Sequence, residues 1–273
     1  MYRKYLALFI IVIQLSALAG AQTASQQAVE TALPKVAKPL PFQVGERLTY
    51  EVGFSKFIFS GQIGEINLSV AKAESAAKPG LLELRGEAVS KGFFPSLFGI
   101  KVKDRFVALV NPDDFGLHAS TKIIEEGKKR REQKAVIDRE AGKLTYIDRD
   151  LANKDAKPKV KEADAPSWVQ DILSTCYYVR TQELKEGAVI PVPLSDEGKV
   201  YNIEVIVGKR EEVKVDAGKF RTVKLEAKVF NGKFVRRNGE MFIWVTDDAR
   251  RIPVRAKIKT SGATVNISLK QVK

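Results

Sequence analysis

The sequence predicts a mainly-β fold: a strongly curved antiparallel sheet, or half-barrel, with one amphipathic helix packed on it. Three observations predict it. Short runs of alternating apolar and polar residues fill the chain from Phe42 onward, turn signals separate them at close spacing, and one interposed segment has helical period. Period two places alternate side chains on opposite faces of a pleated strand, so one face is buried and the other wet. Short turns between successive runs make the neighbours antiparallel, because parallel strands need long crossovers.

Two segments of another kind come first. Residues 1–21 read as a cleavable secretory signal peptide: Arg3 and Lys4 precede an apolar stretch from Tyr5 to Leu18, and Ala19-Gly20-Ala21 supplies the small residues of a cleavage site. A bilayer core takes about 20 apolar residues and this stretch holds roughly 13, which points to cleavage and not to an anchor. Gln22 stands where a bacterial lipoprotein carries cysteine. The expected product is soluble and periplasmic, with no integral membrane span. Residues 22–40, rich in Ala, Gln, Ser, Thr, Lys and Pro, read as a flexible N-terminal segment, and residues 41–273 as a single β-rich domain.

The β runs follow in order. Leu48, Tyr50 and Val52 alternate, then Ile66, Leu68 and Val70, then Leu82 and Leu84 in a run ending near Val89. Residues 102–110 and 117–124 flank the turn Asn111-Pro112-Asp113-Asp114, and residues 135–137 and 144–147 flank Asp138–Gly142. Lys154 to Ala165 is charged and Pro-bearing and reads as an exposed linker. A helix then starts with Ser167 as N-cap and Gln170 at the matching capping-box position. Trp168, Val169, Ile172, Leu173, Cys176 and Val179 form its apolar face, which makes Cys176 a core residue. Four further runs carry Tyr201–Val207, Val223–Val229, Met241–Val245 and Ile252–Ile258, and a last one Val265–Leu269. Asp216-Ala217-Gly218 and Asn231-Gly232 are hairpin signals, because their turns need positive φ.

Charge and composition exclude several function classes. The formal charge is +13, and removing Arg3 and Lys4 leaves about +11. The positives are dispersed; Lys128-Lys129-Arg130-Arg131 is the one dense run and reads as a solvated turn. Such a surface favours anionic surroundings, and export makes nucleic acid the wrong partner. Cys176 is the only cysteine and His118 the only histidine, so neither a disulfide nor a His-based metal cluster can form within the chain. No Gly-x-Ser-x-Gly elbow, P-loop or His-Glu-x-x-His is present. No catalytic set, metal or cofactor is therefore expected.

The residues left as ligand-binding candidates are few. Phe94 and Phe98 lie in the compact run Phe93–Phe98, which reads first as core, and Trp168 and Trp244 complete the aromatics that a concave sheet could direct at an acyl chain. Asp247 and Asp248 precede Arg250; adjacent carboxylates at a strand end read first as turn caps neutralised by the arginine, then as ligand contacts.

The run Pro41-Phe42-Gln43-Val44-Gly45-Glu46-Arg47-Leu48-Thr49-Tyr50 resembles the opening of a bacterial envelope family, domain of unknown function 3108. Similar to that family too are Val169–Ser174 with Tyr177-Tyr178-Val179-Arg180, Val215–Phe220, and Ile243–Val254. The resemblance implies an exported, antiparallel β protein and carries no activity. By fold-level analogy it also looks like the half-barrel envelope proteins that hold lipidated or apolar cargo. The expected function is a non-catalytic envelope protein binding a lipid or other amphiphile. The alternative is a scaffold of an envelope complex binding proteins or cell-wall polymer. A hydrolase would need His118 to meet Asp247 or Asp248.

Overall fold

The computed structural model describes residues 36–56, 59–74, 80–153, 155–230, 235 and 238–273. The signal-like segment 1–21, most of the N-terminal segment and the Asn231-Gly232 hairpin signal lie outside the described residues. Among the described residues fourteen strands form one antiparallel sheet. In chain order they are β1 (Arg47–Lys56), β2 (Phe59–Lys72), β3 (Leu82–Ser90), β4 (Lys103–Val110), β5 (Leu117–Glu126), β6 (Lys129–Asp138), β7 (Lys143–Asp150) and β8 (Lys159–Asp164). After a break come β9 (Val189–Asp196), β10 (Lys199–Val215), β11 (Gly218–Ala227), β12 (Gly239–Thr246), β13 (Pro253–Thr260) and β14 (Ala263–Val272). Two short helices interrupt them, α1 (Phe93–Leu97) and α2 (Ile172–Tyr178), the second running into a 3-10 turn at Val179–Thr181.

Each half is a meander, and β14 pairs with β1 to join the halves, leaving β8 and β9 as the edges. The sheet curls until these edges approach, and the segment between them fills the seam. Val169 accepts a hydrogen bond from the Leu117 N–H (3.1 Å), while Gln170 exchanges backbone bonds with Pro193 and Ser195 (2.8 and 2.7 Å). At the far side Lys161 Nζ donates to the Glu197 carbonyl (2.9 Å). A Cβ on Gly198 would lie 2.8 Å from that of Lys161. Glycine there, with φ +77°, lets the β9–β10 turn touch β8.

The segment then turns inward as a plug. Its helix begins four residues later than the Ser167 cap would place it: Asp171 caps, accepting from the Ser174 N–H (2.7 Å), and Ser174 Oγ accepts from the Asp171 N–H (2.9 Å). Residues 168–170 are committed to the seam and cannot be helical. The expected linker at 154–165 likewise gives way to β8, an exposed edge strand alternating Lys159, Lys161 and Ala163 against β7.

The plug is anchored by Arg180, which is 1% exposed. Its guanidinium donates to both carboxylate oxygens of Glu46 (2.7 and 2.8 Å) and to the carbonyls of Pro41 (3.2 Å) and Arg250 (3.0 Å). The rings of Phe42 and Tyr177 stack within 4.9 and 5.3 Å of its carbon. Arg251 in turn donates to the carbonyls of Arg180 (2.8 Å) and Gln182 (2.5 Å). Removing one member of a buried ion pair strands the other, at about 3–5 kcal/mol. Glu46→Gln is accordingly expected to lower unfolding stability by about 3 kcal/mol, read by urea denaturation with tryptophan fluorescence. Arg180→Lys should cost a similar amount because lysine can neither stack nor fork; an unchanged midpoint in both would contradict the clamp.

Candidate functional site: the concave face

Strand register decides which side chains share the inner face. Leu48, Leu68, Gly86, Phe106, Lys122 and Gln133 are successive partners across β1 to β6. Leu173 of α2 lies 3.5 Å from where a Cβ of Gly86 would stand, so this row faces the plug. The neighbouring row holds Tyr50, Ile66 and Ala88, and through β14 the inner face continues to Ile267, Ala256, Ile243 and Leu225.

The inner face is filled unequally. Toward the end where the β4–β5 turn lies, Phe42, Phe115, Trp168, Tyr177 and Tyr178 form an aromatic core, with Phe42 edge-on to Phe115 and Tyr177 at 5.7 and 5.0 Å. Toward the opposite end the inner residues Phe54, Ile66, Phe106, Met241, Ile243 and Ile267 are only half-buried. Cys176 stands on α2 between Asp171 and Arg180 and is exposed. The helical period suggested a core position, but α2 is only seven residues long and touches the sheet through Leu173 and Tyr177, leaving the thiol exposed. The protein around it still pushes the thiol up to about 11.

The opposite wall of the same space is ionic. Lys122 meets Asp196 at 2.5 Å, a pair that crosses from β5 to the β9–β10 hairpin, and Arg131 meets Asp148 at 2.6 Å. Burial opposes the charge on Lys122, but Asp196 outweighs it and holds the ammonium above its ordinary value. Burial raises Asp171, which lies near both. Asp104 on the inner face is fully buried. One of its oxygens accepts from the Glu125 N–H (2.8 Å) and the other has no protein partner. Burial pushes its carboxyl up to about 7. An acid raised in this way favours the protonated fold.

The sequence-predicted residues scatter among different settings. Trp168 is packed in the aromatic core, its ring 6.2 Å from Tyr178. Trp244 pairs with Lys224 and Arg255 on the face opposite Ile243 and Val245, bonded to Glu211 and covered by Lys224, so it does not line the concave side. The run Phe93–Phe98, read first as core, is not core: Phe93, Leu97 and Phe98 are exposed by 71%, 60% and 55%. Phe94 belongs to α1, and its side chain lies outside the described residues. Asp247 is held by Arg210 (3.1 Å) and Arg221 (3.6 Å). Asp248 accepts from Thr246 Oγ1 (2.6 Å) and the Arg250 N–H (3.0 Å), and Arg250 Nη2 adds a third bond. Burial opposes its ionisation, yet these bonds hold it below the usual carboxylate range. These acids line an open cleft of about 630 Å³ with Lys185, Glu186 and Arg251. Asp247 and Asp248 are paired to arginines there, while Lys185 and Glu186 stand exposed at its rim. Among the described residues no cluster of His, Cys, Asp and Glu suits a metal.

The family model for a protein of unknown function, DUF3108, matches residues 49–270, nearly the whole sheet. The chain belongs to this family. No curated protein matches it. A β-barrel-like protein of the domain of unknown function DUF1849 from Brucella abortus superposes with TM-score 0.53 at 11% identity, over 89% of this chain and 99% of that one. A Bacteroides fragilis protein with a YmcC-like fold gives TM-score 0.36 at 12% identity, over 86% and 98%. The first likeness establishes a β-barrel-like architecture and nothing finer. Arg180 and Arg251 lie within the matched span and Glu46 just before it, and the three form the clamp. Sequence reasoning passed over all three, although a lone arginine after two tyrosines on an apolar helix was a signal.

Two measurements check this face. Cys176 should alkylate fully with iodoacetamide without denaturant, with a rate rising about tenfold per pH unit up to pH about 11; a core thiol would react only on unfolding. Asp104 contributes stability that is present below its unfolded value near 3.8 and lost as pH rises through about 7. Asp104→Asn should flatten that decline between pH 4 and 7 in urea titrations, and an unchanged slope would remove Asp104 as its source.

Proposed function

We propose that this is an exported, non-catalytic protein of the bacterial cell envelope whose concave face holds the apolar part of an amphiphile. The observation that carries the reading is the set of half-buried inner residues Phe54, Ile66, Phe106, Met241, Ile243 and Ile267, faced by the Lys122–Asp196 and Arg131–Asp148 pairs. A ligand pocket of this kind is mostly apolar, with a few polar groups that fix orientation. An acyl chain would lie along β1, β12 and β14, and a polar head would turn to the ionic wall. Export is supported by the sequence of residues 1–21.

The scaffold reading keeps one observation of its own, the exposed apolar side chains of α1. The hydrolase reading has less support: His118 sits at the start of β5 with Nε2 3.1 Å from Arg139, while Asp247 and Asp248 close the β12–β13 turn under their own arginines.

A dansylated fatty acid tests the proposal. Saturable fluorescence enhancement is expected, with Ile243→Asp and Ile267→Asp each weakening binding roughly tenfold or more, since each puts a charge against the chain. Cooperative unfolding of both variants would show that they fold. Absent saturation, or equal affinity in the variants, would overturn it.

A further inference from the structure

The less filled end of the curl carries a second feature. Here β3 ends, and the chain makes the short helix α1 before entering β4. Its base is tied down on both sides. The Lys91 N–H donates to the Ile63 carbonyl (3.1 Å) and the Ser90 N–H to the Val102 carbonyl (3.0 Å). Gly92 has φ +113°, and a Cβ there would lie 2.4 Å from the Gln62 carbonyl oxygen, so the chain leaves β3 through a bend that only glycine fits. From this base Phe93, Leu97 and Phe98 project with 71%, 60% and 55% of their surface exposed.

Three large apolar side chains together on a fixed base are not the scattered exposure that soluble surfaces tolerate. Their surroundings are cationic. Lys91 precedes the helix, and Lys101 and Lys103 follow it, both exposed. The β5–β6 turn is joined to the same loop, since the Gly127 N–H donates to the Lys101 carbonyl (2.9 Å) and residue 102 bridges to residue 126. That junction brings exposed Lys128 alongside. Of these lysines, Lys91 is paired to a carboxylate, Glu65 (2.8 Å).

We infer that this knuckle is a membrane-docking surface: Phe93, Leu97 and Phe98 enter the interfacial region of an anionic bilayer while Lys101, Lys103 and Lys128 lie against its head groups. Charge complementarity selects the occupant. A protein partner covering the same residues would have to desolvate the lysines, whereas an anionic interface takes apolar side chains and cations at different depths. The inference deepens the amphiphile reading and rests on it for its purpose, because the knuckle stands at the end of the curl where the concave face is least filled. Docked there, the protein would present that face to the source of the amphiphile.

Flotation of the purified processed protein with vesicles of equimolar phosphatidylglycerol and phosphatidylethanolamine tests it, beside phosphatidylcholine vesicles. Binding to the anionic vesicles that falls with salt is expected. Phe93→Ser with Phe98→Ser, and separately Lys101→Glu with Lys103→Glu and Lys128→Glu, should each weaken it by roughly tenfold or more. These exposed variants should keep wild-type affinity for the dansylated fatty acid in solution. Vesicle binding without fatty-acid binding would sink the concave-face reading and leave docking standing. Fatty-acid binding without vesicle binding, equal binding to both vesicle types, or a dimer abolished by the Phe93 and Phe98 changes in the absence of vesicle binding would overturn the docking inference.

Discussion

The bidentate pair between Arg180 and Glu46 is the interaction on which the rest of the structure depends. A curled sheet of fourteen strands encloses more width than its own side chains can span, so something must fill it. The chain uses the connection between its two edges. That connection carries polar backbone into the interior, and each buried amide needs a partner. Seam bonds to Leu117, Pro193 and Ser195 satisfy the first part, the Asp171 cap the second, and the clamp the last. Because Glu46 precedes β1 and the Arg250 carbonyl belongs to the β12–β13 turn, one guanidinium ties the plug to both halves of the sheet. The two flanking rings shield it from water, which strengthens the pair and makes its loss costly.

Plugging one end leaves the other with a surface of two kinds. Between the register shifts at Thr49/Tyr50 and Val52/Gly53, Tyr50 and Val52 pair with both β2 and β14, so residues of the two meanders share one concave side. On the β12–β14 side those residues are Met241, Ile243 and Ile267; on the β5–β7 side they are Lys122, Arg131 and Asp148. Part of the ionic side ties the curl together across its interior. Lys122 and Asp196 reach over the gap between β5 and the β9–β10 hairpin, where directional bonds between long side chains span a distance that apolar packing would leave void. A wall that ties the curl thus gives the cavity polarity on one side and apolar character on the other.

The legibility of this architecture in the sequence follows the range of the interactions. Antiparallel strands were readable from period two, and the turns at Asn111–Asp114, Asp138–Gly142 and Asp216–Gly218 fall where glycine, proline and acids put them. The helix was readable in kind but not in extent, because Trp168 to Gln170 have helical spacing yet are claimed by the seam, a contact with residues about 25 to 55 positions away. Linker-like charge hid β8, whose lysines suit an edge strand as well as a loop. Cys176 was assigned to the core by helical spacing and the Phe93–Phe98 run by hydrophobicity. Their exposure depends on how far the curl closes and on where the β3–β4 connection projects, neither of which any local pattern encodes. Trp244 went to the wrong face for a related reason: period two says that Trp244 and Ile243 differ, not which of them looks inward.

The edges themselves show how such a sheet stays unpaired with other chains. β9 carries Pro191 and Pro193, which pair with Glu204 and Asn202 of β10 yet offer no N–H to the free side. With these donors missing, a foreign strand could not complete a ladder there. The Pro193 carbonyl is occupied from within by the Gln170 N–H (2.8 Å). On β8 the edge presents Lys159 and Lys161, and Lys161 is drawn onto the Glu197 carbonyl and the Tyr146 ring. Both edges are therefore turned toward each other and toward the plug, which gives the seam its specificity: only the chain's own 168–170 segment offers backbone groups at the right places. The same segment that fills the interior also bridges the start of β5 to β9, so the curl is held by the chain that fills it.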